Sequence, residues 1–257
     1  MDYLFCGDVN FFDASTAKTY NDFPTSLYYD ELILQLIHGN PRRILDAGCG
    51  AGAFTFKLSE RFRDADVVGC DESEDMLTAA RAKLAARADM RLKLRFDYGR
   101  IQNLADDFAA IPGLGGMNFD VIVALRALHH CADCMTDAIQ QLYDKLQPGG
   151  RILILDLKRT GSSSSSRFRR WITDFLYKSA VYIKGPGWFH FRQARRDLLR
   201  EKEVYTSSGW AEHLAHEPQF DWRSMKTILE QIGMNILQCR SCNYKFILIV
   251  AEKRYHC

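Results

Sequence analysis

The stretch "ILDAGCGAGAF", Ile44 to Phe54, decides the fold. An apolar run enters a glycine-rich turn, and the turn enters an amphipathic segment. That order describes a strand passing into a helix through a loop that comes close to a ligand. Gly48 and Gly50, with Ala53 behind them, satisfy a dinucleotide-binding fingerprint. Asp71, about twenty residues further on, supplies the acidic residue such a fingerprint pairs with a ribose. The pattern admits a nicotinamide or flavin dinucleotide, and equally another adenosine-bearing cofactor.

Outward from this turn, strands and helices alternate. "RRILDAG" predicts a strand and "AFTFKLSERF" a helix; "DADVVGCD" predicts a second strand and "SEDMLTAARAKLAAR" a second helix. Ser73 is placed as the N-cap of that second helix, with Asp75 in its first turn. "MRLKLRFD" reads as a third strand, "NFDVIVAL" as a buried fourth, and "RILILDL" as a fifth. Between the last two, "DAIQQLYDKL" reads as a helix ended by Pro148-Gly149-Gly150. Near the end, "DWRSMKTILEQIG" is a helix stopped by Gly233. "NILQCRSC" and "YKFILIVAEK", separated by Asn243 alone, form an antiparallel hairpin. The expected fold is α/β: a Rossmann-like, seven-stranded, mostly parallel sheet with helices on both faces.

Two segments fall outside this rhythm. Residues 1–40 read as a helical N-terminal cap, with "YYDELILQLIHGN" closed by Asn40-Pro41. After the fifth strand, "KRTGSSSSS" is a low-complexity connection into an Arg-rich, aromatic segment with a Gly-Pro-Gly break at 185–187. Residues 158–207 are expected to form a helical lid inserted into one domain spanning 1–257. Net charge is +2, but Lys158 to Lys202 holds twelve Lys and Arg against three Asp and Glu. That segment carries +9 and leaves the rest of the chain at −7. A basic insertion on an acidic scaffold points to an anionic partner.

A 257-residue chain with 47% hydrophobic content can bury a substantial core. Its most apolar run, "FILIVA", is strand-sized, so no membrane span is expected. The start lacks the basic flank and apolar stretch of an export signal, and the eight cysteines are scattered. A cytoplasmic protein with reduced thiols is the expectation.

Asp46 discriminates among the cofactors. It ends the first strand two residues before Gly48, where a pyrophosphate would meet a carboxylate at close range. S-adenosylmethionine instead brings an ammonium, a sulfonium and an adenosine, and no phosphate. At this point the chain resembles a family. "ILDAGCGAG", "VVGCDESEDML", "FDVIVALRALHH" and "LQPGGRILILDL" stand in the order and spacing of class I S-adenosylmethionine-dependent methyltransferases. It looks most like the small-molecule group that includes ubiquinone- and menaquinone-type enzymes. The resemblance covers residues 12–157, and 208–253 in outline.

The resemblance implies that Asp46, Gly48 and Gly50, with Cys49 between them, line the methionine end of the cofactor. Asp71 would accept both ribose hydroxyls, flanked by Glu72, and Met76 would pack on the adenine. Ala124 and Leu125 would face the sulfonium. "FFDASTAKTYNDF" is similar to the family's N-terminal pattern, which places Tyr20 over the cofactor. One departure stands out: Arg100 occupies a position that is acidic in the family, leaving Asp97, beside Tyr98, for the adenine amino group.

His129 follows the fourth strand on the ligand side of the sheet and can accept a proton from a nucleophile at neutral pH. The alternative is that it caps the strand end. Tyr20 and His190 are further candidates for proton transfer. Arg126, Trp171, Phe175, Trp188 and His190 are assigned to the acceptor, expected to be a small, anionic metabolite or one attached to an acidic carrier protein. Two competing readings remain: a tRNA methyltransferase, whose aromatic and basic lid stacks bases, and a non-methylating enzyme or scaffold on the same fold. Two Cys-x-x-Cys pairs, Cys131/Cys134 and Cys239/Cys242, lie more than a hundred residues apart. No metal site is expected from them, and Cys131 and Cys239 read as small core residues.

Overall fold

A computed structural model describes residues 27–87, 93–157, 222–242 and 246–255. Tyr20, Trp171, Phe175, Trp188 and His190 lie outside these, as do the lid at 158–207 and most of the N-terminal cap.

Seven strands form one sheet in the order β3-β2-β1-β4-β5-β7-β6. They are β1 (Arg43–Ala47), β2 (Asp66–Asp71), β3 (Leu94–Tyr98), β4 (Phe119–Leu125), β5 (Leu146–Leu157), β6 (Met234–Ser241) and β7 (Phe246–Lys253). Strands β1 to β5 pair in parallel, whereas β7 is antiparallel to both β5 and β6. The helices among the described residues are α1 (Leu27–Leu36), α2 (Ala53–Arg61), α3 (Glu74–Ala85), α4 (Leu104–Ala109), α5 (Met135–Lys145) and α6 (Trp222–Gln231).

Alternation along each strand sorts the core into two layers. Leu45, Val68, Ile122, Ile152 and Ile249 pack beneath α4, α5 and α6 through Phe108, Leu142 and Met225. Their neighbours Ile44, Val67, Val121, Leu153 and Leu248 pack beneath α1 and α2 through Ile33, Phe54 and Leu58. The expected helices on both faces are present. Ser73 caps α3, accepting the Met76 N–H at 3.3 Å, with Glu74 and Asp75 in its first turn. Gly233, at φ +94, ends the segment after α6.

One boundary differs from the sequence reading. Pro148-Gly149-Gly150 does not separate α5 from a strand; α5 ends at Lys145 and β5 begins at Leu146. Leu146 pairs with Phe119, and a register shift then carries the proline and glycines past the sheet before Arg151 pairs with Val121. A proline is tolerated at such an irregularity, where no ladder bond is required of it. At the hairpin, β6 ends at Ser241 and β7 begins at Phe246, residues 243–245 lie outside the described residues, and the Cys242 N–H donates to Phe246 O at 3.0 Å.

Candidate active site

The strand order reverses between β1 and β4, and both point their carboxyl ends to the same rim. That crevice is where an open α/β sheet binds ligands. The glycine turn sits over it. A Cβ on Gly48 would lie 2.4 Å from the Ala127 Cβ, so only glycine lets the turn after β1 meet the turn after β4. Gly50, at φ +53, is different: a Cβ there would meet nothing within 4 Å, so the turn presents bare backbone to open space.

Four amides of this turn are spent internally. The N–H groups of Gly48 and Cys49 both donate to Cys70 O, at 2.8 and 2.9 Å. The Gly50 N–H donates to Asp71 Oδ2 at 2.7 Å, and the Gly52 N–H to Cys49 O at 3.0 Å. A nest for a phosphate needs such amides aimed outward. Here a carboxylate already occupies their direction.

Asp71 ends β2 and is half-buried. Each of its oxygens takes one backbone N–H, Oδ2 from Gly50 and Oδ1 from Ser73 at 2.9 Å. Burial raises its pKa against the lowering effect of those bonds. Each oxygen retains a lone pair for a further donor. Asp46, 2% exposed, accepts the Thr55 hydroxyl at 2.6 Å. Burial pushes its pKa up to about 7, against the Thr55 bond, with the charges of Asp30 and Asp71 adding to the rise. Asp30 itself is paired with Lys57 at 2.5 Å. Cys49, half-buried in the turn, has its thiol pushed well up by burial and by Asp71 and Asp46, and it donates to Gly50 O at 3.4 Å. Two carboxylates thus converge beneath the turn, a setting that favours a cation.

At the adenine end expected from sequence, Met76 is buried against Ala51 of the turn, with Ala79 alongside. Glu72 is exposed; desolvation and the Asp71 charge raise its pKa against the lowering effect of Arg100 and Gln102. Asp97 is held by Arg95 from the same strand, with Arg95 Nη2 donating at 2.9 Å. Tyr98 packs partly buried against the cluster around Phe96. The anomalous Arg100 is accounted for: its backbone N–H, Nε and Nη2 all donate to Asp107, at 2.9, 3.1 and 2.7 Å. It ties the 3₁₀ turn at Ile101–Asn103 to α4.

At the end of β4, Ala124 is fully buried in the core, while Leu125 is half-buried at the rim. Arg126 adopts φ +58, and it alone among the described non-glycine residues has a positive φ. Its N–H donates to Leu155 O at 2.7 Å. Its guanidinium makes no hydrogen bond or ion pair among the described residues. His129, 3% exposed in the 3₁₀ turn at Leu128–Cys134, faces Asp156, which is 0% exposed, with Nδ1 2.7 Å from Oδ1. The His130 ring packs on it at 3.9 Å between centroids.

Thr55, Gln102 and Asp156 were not singled out from sequence. Asp156 carried a legible signal, the same as Asp46 and Asp71: an acidic residue closing an apolar strand run. Cys131 is buried in the core and Cys239 packs partly buried against it, as read from sequence. Among the described residues no helix is long and apolar enough to cross a membrane.

Residues 45–152 match the family described as "Methyltransferase domain". The chain is similar to a demethylmenaquinone methyltransferase of Deinococcus radiodurans, 29% identical over 147 residues that cover 57% of this chain and 56% of that protein. It is also similar to a demethylmenaquinone methyltransferase of Thermus thermophilus, 37% identical over 116 residues that cover 45% and 47%. The chain therefore spans about half the length of these curated relatives. Among solved structures it resembles magnesium protoporphyrin IX methyltransferase from Synechocystis PCC 6803 with bound SAH, at TM-score 0.55 and 17% identity, over 97% of this chain and 90% of that one. That likeness is one of fold.

Proposed function

We propose that the chain is a class I S-adenosylmethionine-dependent methyltransferase and that it methylates a small acceptor carrying an anionic group, a reading supported by the match of residues 45–152 to the methyltransferase domain. What supports S-adenosylmethionine at the crevice is the turn itself: the amides of Gly48, Cys49, Gly50 and Gly52 are consumed, carboxylates converge beneath it, and the Gly50 side is open. A phosphate-free, cationic cofactor suits all three. Asp46 would lie toward the ammonium, Asp71 would use its remaining lone pairs on the ribose hydroxyls, and Gly50 would give backbone contact. When bound, the cofactor supplies the methyl group and a leaving group that departs neutral.

Little acid catalysis is then required of the chain. Its residues need to hold an acceptor lone pair roughly 3 Å from the methyl carbon and in line with the bond that breaks. We assign acceptor orientation to Arg126, whose half-buried guanidinium stands at the rim without a partner among the described residues. A carboxylate on the acceptor would meet it in a bidentate pair. His129 takes the proton when the nucleophile is an O–H or N–H group. Tyr20, as a second candidate for proton transfer, and Trp171, Phe175, Trp188 and His190, as acceptor contacts, belong to the same proposal and lie outside the described residues.

Calorimetry with S-adenosylmethionine, S-adenosylhomocysteine and NAD tests the cofactor. Binding of the first two without the third is expected; tight NAD uptake would overturn the proposal. S-adenosylhomocysteine release is then measured with hydroquinols, phenols and hydroxylated carboxylic acids as acceptors. Turnover confined to uncharged acceptors would remove Arg126 from its role. His129→Ala with unchanged turnover would remove His129 from the mechanism.

A further inference from the structure

We infer that Asp156 is a positioning residue for His129, fixing the ring in the tautomer that leaves its lone pair on Nε2. The inference rests on the reading of His129 as proton acceptor. The two side chains come from adjoining strands at the ligand rim, His129 just after β4 and Asp156 near the end of β5. One carboxylate serves two donors through separate oxygens. Oδ2 accepts the His129 backbone N–H at 3.2 Å, and Oδ1 lies 2.7 Å from Nδ1. Facing a carboxylate that accepts, Nδ1 carries the hydrogen, and a neutral ring in that tautomer keeps its lone pair on Nε2.

Strand-end capping alone asks for less. A neutral acceptor satisfies one backbone N–H, whereas a fully buried carboxylate is costly unless its partners offset the desolvation. The surroundings also fix the ring more firmly than capping requires. Leu155 O holds the Arg126 N–H at 2.7 Å, so consecutive residues of β5 pin both ends of the short turn that carries the ring. The His130 ring closes one face. A proton-transfer group needs its rotamer and tautomer locked in this way.

The arrangement makes Asp156→Asn informative. Asparagine has one acceptor and one donor where aspartate has two acceptors. If its oxygen keeps the backbone N–H, its NH₂ faces Nδ1, which must then accept, and the ring proton moves to Nε2. The reverse orientation sets two donors against each other at the backbone. Either way Nε2 loses its lone pair or the ring loses its anchor.

The experiment is ¹⁵N-histidine NMR on the full chain with S-adenosylhomocysteine, the His129 signals assigned by their loss in His129→Gln. Wild type is expected to show a protonated Nδ1 and an unprotonated Nε2; the opposite tautomer in wild type would overturn the inference without any variant. Asp156→Asn is expected to reverse the tautomer. With the best acceptor of the panel above, it should lower kcat by about 10²-fold or more while KM and S-adenosylhomocysteine affinity change by less than about twofold. An unchanged tautomer, or unchanged kcat in Asp156→Asn alongside an inactive His129→Gln, would refute the role of Asp156. An active His129→Gln would instead refute the base assignment, and the wild-type tautomer would still decide whether Asp156 holds the ring.

Discussion

Replacing Asp46 with asparagine should change the pH dependence of stability in a direction fixed by the carboxyl's surroundings. In the folded chain this group is 2% exposed, hydrogen-bonded to Thr55, and its pKa is about 7, against 3.8 in an unperturbed chain. The folded state therefore binds a proton that the unfolded state has released between about pH 4 and pH 7. Stability from this group is fully present below the unfolded value and is lost as pH rises through the folded value. At 1.36 kcal/mol for each pKa unit, ionised Asp46 costs the ligand-free protein about 4 kcal/mol above pH 7. The substituted asparagine does not titrate, keeps an acceptor for the Thr55 hydroxyl, and buries an NH₂ group at a cost of about 1–3 kcal/mol. The Asp46→Asn variant is thus expected to be less stable than wild type near pH 4 and more stable near pH 8. Urea unfolding at both pH values measures the crossover, provided m is unchanged. Because other titrating groups are common to both proteins, their contributions largely cancel in the difference. Parallel stability profiles would refute the argument, since they would mean Asp46 ionises as it does in water. The same carboxyl makes a linked prediction for ligand affinity. A cation that requires ionised Asp46 should bind more weakly as pH falls below about 7, by up to tenfold per unit, whereas Asp46→Asn should bind weakly at every pH.

The two turn glycines should separate stability from binding. Gly48→Ala meets Ala127 in a left-handed conformation and should lose about 2–5 kcal/mol of stability in urea. Gly50→Ala meets no atom and should lose only about 1–2 kcal/mol, but weaken S-adenosylhomocysteine binding in calorimetry; unaffected binding would place the ligand elsewhere. Arg126→Gly relieves the positive φ and should raise stability by about 1 kcal/mol in thermal or urea unfolding while abolishing turnover of carboxylated acceptors; an unchanged KM for them would refute the pairing. Asp107, buried but held by Arg100 and Asn103, lies below the ordinary carboxylate range, so its stabilisation is present above about pH 4 and lost as pH falls through its depressed value. Asp107→Ala should cost about 1–2 kcal/mol at pH 7 and flatten the acid limb of the unfolding profile.

The sheet was legible because its residues obey a period. Ile44 and Leu45, or Val67 and Val68, are apolar on both sides, which only a strand covered by helices on both faces requires. Ser73 was legible as a cap because its hydroxyl does one local job. Pro148 to Gly150 misled for the complementary reason. Their local preference is for a break, but pairing of Leu146 with Phe119 on the next strand recruits the segment into β5 as an irregularity. Tertiary pairing overrode local chemistry, and no short-range signal reports it.

The site divides along the same line. Asp46, Gly48, Gly50 and Asp71 announce themselves because strand, turn and helix N-terminus follow one another in the chain. What the turn does with its amides is a long-range fact: Gly50 donates to Asp71 across 21 positions, and Cys70 O takes two amides from the preceding unit. This internal closure turns a fingerprint shared by several cofactors into a cradle unsuited to phosphate, and residue spacing alone cannot express it. Arg100 stands where the resemblance expects an acidic residue, and its guanidinium is taken up by Asp107, seven residues on. Asp156 and His129 are 27 positions apart and meet only because β4 and β5 are neighbours in register. The acidic residues at the ends of β1, β2 and β5 therefore differ by what the sheet brings to them. Asp46 receives a hydroxyl and Asp71 two amides, while Asp156 receives an amide and an imidazole. The first two are left with charge or lone pairs for a ligand. On the proposed reading, the third spends its charge on orienting a ring, so that His129 is the group offered for proton transfer and the carboxylate acts through it.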